Sequence, residues 1–189
     1  GTGAAARAFT GHGGAPREEG PVVADTSKVG LNLRERIKLG CAGKVISAFD
    51  IARTMALGAD WCNAARGFMF ALGCLQAQTC HTGHCPTGVT TQDPQRAKAL
   101  RVWRFHENTL EALKELVQAA GLRHPNEITA RHIVRRVSDQ DVKLLANLLP
   151  FLKPGSLLAA MRGDSDWPHN VYRLYWPMAQ SGSWQTVAA

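Results

Sequence analysis

Three of the five cysteines lie close together in the middle of the chain, at Cys74, Cys80 and Cys85. Their spacing, C-x5-C-x4-C, is closed by Pro86. Thiolates grouped in this way are typical ligands of soft metal centres. A disulfide framework fits less well, because five is an odd number and the cysteines are not distributed as in a small secreted protein. The block therefore predicts a metal centre in a reducing, cytoplasmic-type compartment.

Two kinds of metal centre agree with this spacing. An iron–sulfur cluster needs thiolates along an irregular loop, and a proline directly after the last ligand is a feature of ferredoxin-type motifs. Three thiolates without a fourth nearby favour a three-iron cluster over a four-iron one. Zinc usually takes four ligands, and His81 or His84 could complete such a set. The spacing favours iron–sulfur, and a zinc-stabilised structural or interaction module remains the alternative.

Two short turns that precede the cysteines could bind a phosphate group. Gly43-Lys44 and Ala65-Arg66-Gly67 each combine small residues with a cation at the exit of a predicted strand. Backbone N–H groups and helix N-termini at such exits hold phosphate in many barrel enzymes, commonly on the loops after the seventh and eighth strands. Each turn taken singly also agrees with plain turn geometry.

The residues around these turns predict two consecutive strand–turn–helix units. A strand within 37–43 is followed by a helix over 45–57, and a strand within 60–65 by a helix over 68–75. Units in this order predict parallel strands with a right-handed crossover. Cys41 and Cys62 fall in the two strands and are predicted to be small buried residues. The units therefore predict an α/β sheet or barrel. A closed barrel of this class needs eight units and about 250 residues, so if these are barrel units, they are two of eight.

The second half of the chain is predicted to be helical. The longest helix runs from an N-cap at Asp93-Pro94 to a stop at Gly121. Thr129 and Ser138 are predicted to cap helices over 130–137 and 139–149, and the aromatic residues after Gly163 suggest an extended tail that packs on the body. The glycine-rich residues 1–20 predict a long loop. We therefore divide the domain into a first part, 1–92, which holds the strand–helix units and the cysteine loop at 74–88, and a helical extension with an aromatic tail, 93–189.

The charge of the chain suggests a solvated surface. Lys and Arg exceed Asp and Glu by 22 to 15, a net charge of +7, but no aromatic-interleaved or recognised motif accompanies them, so we predict no nucleic-acid partner. A basic adaptor for an acidic partner is a further alternative. The longest apolar stretch is far shorter than the roughly 20 residues of a membrane helix.

At this point the motifs resemble a known family. GADWCNAARGFMFALGC from Gly58 to Cys74 and CHTGHCPTGV from Cys80 to Val89 resemble the FMN-binding synthase domain of glutamate synthases. The opening residues, the segment from Arg36 to Asp50 and the segment from Leu122 to Ser138 resemble the same family in the same order. The resemblance covers most of the chain.

The resemblance implies an oxidoreductase that acts on CH–NH2 donors and carries FMN and a [3Fe-4S] cluster. By position, the three clustered cysteines would be the cluster ligands, and Gly43, Lys44, Ala65, Arg66 and Gly67 would lie on the flavin phosphate. Electrons from an NAD(P)H-linked subunit or a ferredoxin would pass through the cluster to FMN. Reduced FMN would then reduce the imine that 2-oxoglutarate forms with ammonia, free or glutamine-derived, to L-glutamate.

The resemblance also implies a (β/α)8 barrel, of which this stretch would hold the last two strand–helix units, because by comparison it begins after the sixth barrel strand. Strands one to six, with the family's isoalloxazine and substrate contacts, would then lie outside it. We expect that glutamate formation requires a complementing N-terminal polypeptide and that the stretch is inactive alone.

Overall fold

The computed structural model describes residues 19–91, 95 and 99–178. The first part of this region holds one helix and then two strand–helix units, and it ends in the cysteine-containing loop. Its elements are α1 (Glu19–Gly30), β1 (Gly40–Ala42), α2 (Ala48–Ala56), β2 (Trp61–Asn63), α3 (Arg66–Ala71) and a 3-10 helix (Cys80–Thr82).

The two strand–helix units form in the predicted order, but α2 begins at Ala48 and not at residue 45, and α3 ends at Ala71 and not at residue 75. β1 and β2 pair in parallel, with Gly40 opposite Trp61, Cys41 opposite Cys62 and Ala42 opposite Asn63. α2 begins at a capping box, in which the Asp50 N–H donates to Ser47 Oγ and the Ser47 N–H donates to Asp50 Oδ2. It ends before Gly58, whose φ of 103° suits glycine.

The remaining elements place a long helix across the strand–helix units and a hairpin beyond it. The predicted long helix is confirmed in its described part, and Gly121 follows it with a φ of 72°. The N-cap predicted at Asp93-Pro94 lies outside the described residues. The elements are α4 (Ala99–Ala119), a 3-10 helix (Pro125–Glu127), β3 (Val134–Arg136), β4 (Val142–Leu144), α5 (Leu145–Leu148), α6 (Ser156–Arg162), α7 (Asn170–Tyr175) and a 3-10 helix (Trp176–Met178).

The main hydrophobic core lies where α2 and α4 meet the segments that follow α4. α2 contributes three alanines, which permit a close approach, and α4 contributes two aliphatic side chains. Leu145 is among the most deeply buried residues, with 1% of its surface exposed. The buried cluster consists of Val22, Ala48, Ala52, Ala56, Leu57, Leu113, Val117, Ile128, Ala130, Ile133 and Leu145.

The helices predicted over 130–137 and 139–149 are wrong except at Leu145–Leu148. β3 and β4 form an antiparallel hairpin there, with Val134 opposite Leu144 and Arg136 opposite Val142. Ser138 Oγ accepts the Gln140 N–H at 3.4 Å in the connecting turn, so its hydroxyl stabilises a turn and not a helix start.

The prediction of an extended tail after Gly163 is also wrong. Residues 170–178 form α7 and a 3-10 helix. The tail's predicted packing on the body is confirmed for Tyr172, which is 8% exposed. The Tyr172 hydroxyl lies 3.0 Å from Thr26 Oγ1 and 3.2 Å from Ser27 Oγ on α1. The predicted opening loop lies outside the described residues, except for Glu19 and Gly20, which begin α1.

The described residues thus form a mixed helix and strand structure of α/β type, with one parallel and one antiparallel strand pair. They do not form a closed barrel, and the assignment to the last two barrel units stays a prediction. No helix in the described part of the chain has both the length and the apolar composition needed to cross a membrane.

Candidate functional site

The two predicted phosphate turns lie side by side. Because β1 and β2 are parallel, their carboxyl ends meet at one edge of the sheet. A Cβ placed on Gly67 would lie 3.3 Å from both the Cα and the carbonyl oxygen of Ile46. The exit of β2 therefore touches the backbone of the exit of β1. A side chain at position 67 would crowd this contact.

Residues Gly43 and Lys44 reverse the chain directly after β1. Both have a positive φ, 110° at Gly43 and 54° at Lys44. The left-handed region is unfavourable for a lysine, so the surrounding turn must hold it there. The side chains of Lys44 and Arg66 are both exposed, which leaves two cations at the mouth of the paired turns.

The starts of α2 and α3 differ in what their N–H groups can bind. At α2 the Asp50 carboxylate accepts the Ile46 N–H at 3.3 Å and the Ser47 N–H at 3.0 Å, so these donors are already used. At α3 the N-cap is Ala65, and among the described residues no side chain caps the helix. The first N–H groups of α3 are therefore the better donors for a ligand at this edge.

The cysteine loop starts at the other end of α3. The Cys74 N–H donates to the Met69 carbonyl oxygen on α3 at 3.0 Å. Cys74, Cys80 and Cys85 all line one small pocket, together with apolar residues that include Met69, Pro86 and Val89. α3 has six residues and is therefore about 9 Å long, so the cysteine pocket and the paired turns are close neighbours.

Backbone N–H groups point at two of the three sulfurs. The Gln76 N–H lies 3.4 Å from Cys74 Sγ. At Cys85 the backbone N–H of Thr90, the Thr87 hydroxyl at 3.6 Å and the N–H groups of Thr87 and Val89 lower the thiol pKa from 9.0 to about 6. Such donors stabilise thiolates, which is the form that binds metal.

The three thiols that line the pocket are suited to a thiolate-bound cluster, but the pocket itself is small. Its free volume is about 20 Å³, which is room for one water molecule. Within residues 19–91, 95 and 99–178, no three His, Cys, Asp or Glu side chains are grouped to hold a single ion. His81 and His84 are exposed, so the zinc alternative gains no support from this arrangement.

The cysteine loop contains residues with a left-handed backbone. Gln76 and Gln78 have φ values of 57° and 59°, a left-handed conformation that costs energy for residues other than glycine. Gly83, with φ 73°, has open space where a Cβ would be. The loop is thus largely exposed and not tightly packed.

The opposite end of the strand pair holds an ion network that sequence reasoning missed. Arg34 Nε lies 2.6 Å from Asp25 Oδ1, and Arg34 Nη2 lies 3.0 Å from Asp60 Oδ1. The Leu39 N–H donates to Asp60 Oδ2 at 2.6 Å. These charges line a cleft of about 730 Å³ between the start of β2 and the segments after α4. Asp60 falls within the second predicted strand, but nothing in the sequence marked it or its partners as an ion network.

The network shifts the pKa values of its members. Burial raises the pKa of Asp25 in spite of the nearby Arg34 guanidinium. Burial also acts to raise the pKa of Asp60, but the Leu39 N–H and Arg34 outweigh it, so the pKa is lowered. Burial lowers the pKa of Lys28, and the Arg34 charge adds to that effect.

The fold and the site define a mixed α/β protein in which a cysteine-lined loop lies next to two adjoining strand exits. A family profile described as "Conserved region in glutamate synthase" matches residues 1–123. The chain belongs to the glutamate synthase family.

Similar proteins carry the same family name. The chain is 39% identical over 136 residues to the glutamate synthase large subunit-like protein YerD of Bacillus subtilis, covering 68% of this chain and 26% of that protein. It is 34% identical over 129 residues to the archaeal glutamate synthase [NADPH] of Methanocaldococcus jannaschii, covering 65% and 25%. It is 29% identical over 182 residues to glutamate synthase [NADH] of Schizosaccharomyces pombe, covering 93% and 9%. The chain thus spans about a quarter or less of the length of these relatives.

Proposed function

We propose that this chain is the C-terminal part of an FMN-binding and iron–sulfur-binding synthase domain. The proposed reaction is the reductive synthesis of L-glutamate from 2-oxoglutarate and ammonia, free or glutamine-derived. The observation that carries the proposal is the placement of two touching strand exits at one end of α3 and three cysteines around one pocket at its other end. Membership of the glutamate synthase family supports the same assignment.

In this proposal the strand exits hold the flavin phosphate. Gly43 allows the sharp turn after β1, Gly67 allows the exit of β2 to pack against Ile46, and Ala65 leaves the first N–H groups of α3 uncovered. Lys44 and Arg66 supply positive charge from the exposed side. The Asp50 carboxylate, by occupying the start of α2, directs the anion toward α3.

The three clustered cysteines are the proposed ligands of a [3Fe-4S] cluster. The N–H groups of residues that follow Cys74 and Cys85 would stabilise the thiolates and tune the potential of the centre. When bound, the flavin would supply hydride transfer and the cluster one-electron transfer.

The electron donor is proposed from the relatives. Their printed names include NADPH, NADH and ferredoxin-dependent forms, so we propose an NAD(P)H-linked subunit or a ferredoxin as donor. Because the chain spans about a quarter of the length of its closer-matched relatives, we propose that full activity depends on further polypeptide that contributes the substrate pocket.

The phosphate site can be tested by comparing two flavins that differ only in the phosphate. We expect FMN to bind more tightly than riboflavin in a fluorescence titration of the folded chain. Arg66→Gln should weaken FMN binding and leave riboflavin binding unchanged, because only FMN carries the anion. Arg162→Gln, at an exposed arginine far along the chain on α6, is the matched control and should change neither. Equal binding of the two flavins by the unaltered chain would contradict the proposed site.

A further inference from the structure

Cys41 and Cys62 lie directly opposite each other on the two parallel strands. Directly paired residues of neighbouring strands point to the same face of a sheet, and the strands are about 4.8 Å apart. The Cα atoms of a disulfide are usually about 4.4 to 6.8 Å apart. The register therefore places the two Cα atoms at a separation that a disulfide can span.

The two cysteines differ in how far they are buried. Cys41 is 9% exposed, whereas Cys62 is only half-buried. Both are thiols in the structure. A small oxidant in solution can therefore reach Cys62 more easily than Cys41.

A buried lysine lies next to the more buried thiol. Lys28 on α1 is 9% exposed, and its ammonium donates to the Ile37 carbonyl oxygen at 3.2 Å. It is also close enough to Cys41 for the two side chains to interact electrostatically. Lys28 therefore places a positive charge near Cys41.

We propose that Cys41 and Cys62 form a reversible redox pair that hydroperoxides oxidise to a disulfide. The Cys62 thiolate attacks one peroxide oxygen, the O–O bond breaks, and Cys62 becomes a sulfenic acid while the first water leaves. The Cys41 thiolate then attacks the sulfenic sulfur, the S–S bond forms, and the S–O bond breaks to release a second water. Two thiols and one hydrogen peroxide thus give one disulfide and two waters.

The resulting bond is expected to be easily reduced. The Cβ atoms of a disulfide are about 3.8 Å apart, which is less than the separation of neighbouring strands, so the strands must move together. A disulfide under such strain is more easily reduced than a relaxed one. The proposal rests on the strand register and does not depend on flavin or metal binding.

The test uses a variant in which these are the only cysteines. Three of the five cysteines are removed in Cys74→Ser/Cys80→Ser/Cys85→Ser. After hydrogen peroxide treatment, titration with a thiol reagent should show the loss of both remaining thiols, and dithiothreitol should restore them. Trypsin should release the peptide 39–44 linked to the peptide 54–66. Two alkylated cysteines after treatment, or a covalent dimer of the chain, would overturn the proposal.

Two further measurements keep the test independent of the folding of that variant. The same linked peptide should appear in digests of the unaltered chain, and a link from Cys62 to any cysteine other than Cys41 would count against the pair. In Cys41→Ser, dimedone should trap a sulfenic acid at Cys62. Cys62→Ser should give much less adduct at the buried Cys41, and the reverse ranking would refute the proposed order of attack.

Discussion

At the scale of single residues, the proposed phosphate site depends on backbone conformations that few side chains tolerate. Lys44 is held in the left-handed region, and Gly67 lies against the backbone of Ile46. Both features cost stability or restrict the sequence, and each has a chemical use if an anion binds at this edge. Stability and ligand binding should therefore respond differently to substitution at these positions.

Lys44→Gly is expected to stabilise the fold while it weakens FMN binding. Glycine adopts a φ of 54° without the Cβ clash, which should raise the free energy of unfolding by up to about 1 kcal/mol. The lost ammonium should reduce FMN affinity. Urea unfolding and FMN titration measure the two effects.

Lys44→Asn is the matched control for that experiment. Asparagine tolerates the left-handed region and also removes the charge, so it should lose as much FMN affinity as Lys44→Gly without the full gain in stability. If both variants bind FMN as well as the unaltered chain, Lys44 does not contact the phosphate.

Gly67→Ala is expected to destabilise the fold, although alanine favours helix by about 1 kcal/mol over glycine. The added Cβ would lie 3.1 Å from Phe105 Cζ and 3.3 Å from the Ile46 backbone. The resulting shift of packed groups should outweigh the propensity and lower the free energy of unfolding by about 1 kcal/mol net. A higher urea midpoint in Gly67→Ala would show that the two exits do not touch as described.

At the scale of elements, α2 is held in register by its capping box, and this fixes the turn between β1 and α2. Ser47→Ala should lower the free energy of unfolding by about 1 kcal/mol, because the Asp50 N–H loses its acceptor. Ser156→Ala is the control, since Ser156 Oγ is buried without a hydrogen-bond partner among the described residues, and its removal should cost little. Equal losses in thermal or urea unfolding would contradict the capping account.

The elements also show which structure can be predicted from local sequence. Ser47 with Asp50 marks the start of α2, and Gly58 marks its end, so both strand–helix units follow from neighbouring residues. The helix starts predicted at Thr129 and Ser138 were wrong, because a hydroxyl that can cap a helix can equally stabilise a turn. The deciding contact, Val134 opposite Leu144, belongs to a hairpin whose strands have only three residues each, too few for a clear alternating pattern.

The cysteine loop was predictable to a similar extent. Spacing alone identified Cys74, Cys80 and Cys85, and the structure places all three around one pocket. The left-handed Gln76 and Gln78 and the N–H groups directed at the sulfurs could not be foreseen, because they depend on how the whole loop folds back on α3.

At the scale of the whole molecule, Arg34 joins α1 to the start of β2 through Asp25 and Asp60. None of these residues stood out in the sequence, since their pairing depends on contacts across the fold. The carboxyl pKa values make the stability depend on pH in two opposing ways.

Asp60 should stabilise the fold at neutral pH and lose this effect in acid. Its pKa is lower in the folded chain than the usual value. Its contribution is therefore fully present above the unfolded pKa of about 3.9 and disappears as the pH falls through the folded value. Asp25 acts in the opposite direction: its raised pKa means that its contribution is present below the unfolded value and is lost as the pH rises through the folded one.

Asp60→Asn is therefore expected to lower the free energy of unfolding at neutral pH by about 1.5 to 3 kcal/mol, as for a lost hydrogen bond to a charged group. It should also reduce the decline of stability below about pH 4. Asp164→Asn, at an exposed pair with Arg162, is the control and should cost less than about 1 kcal/mol. Urea unfolding at several pH values measures both, and identical pH profiles for Asp60→Asn and the unaltered chain would exclude this role.

The central claim is that the three clustered cysteines bind an iron–sulfur cluster, and metal analysis tests it most directly. Iron, zinc and inorganic sulfide should be measured in chain purified without oxygen, in parallel with Cys85→Ser and the control Cys41→Ser. The account predicts iron and sulfide in the ratio of a [3Fe-4S] cluster, lost in Cys85→Ser and kept in Cys41→Ser. Stoichiometric zinc without sulfide, or a cluster that survives Cys85→Ser, would contradict it.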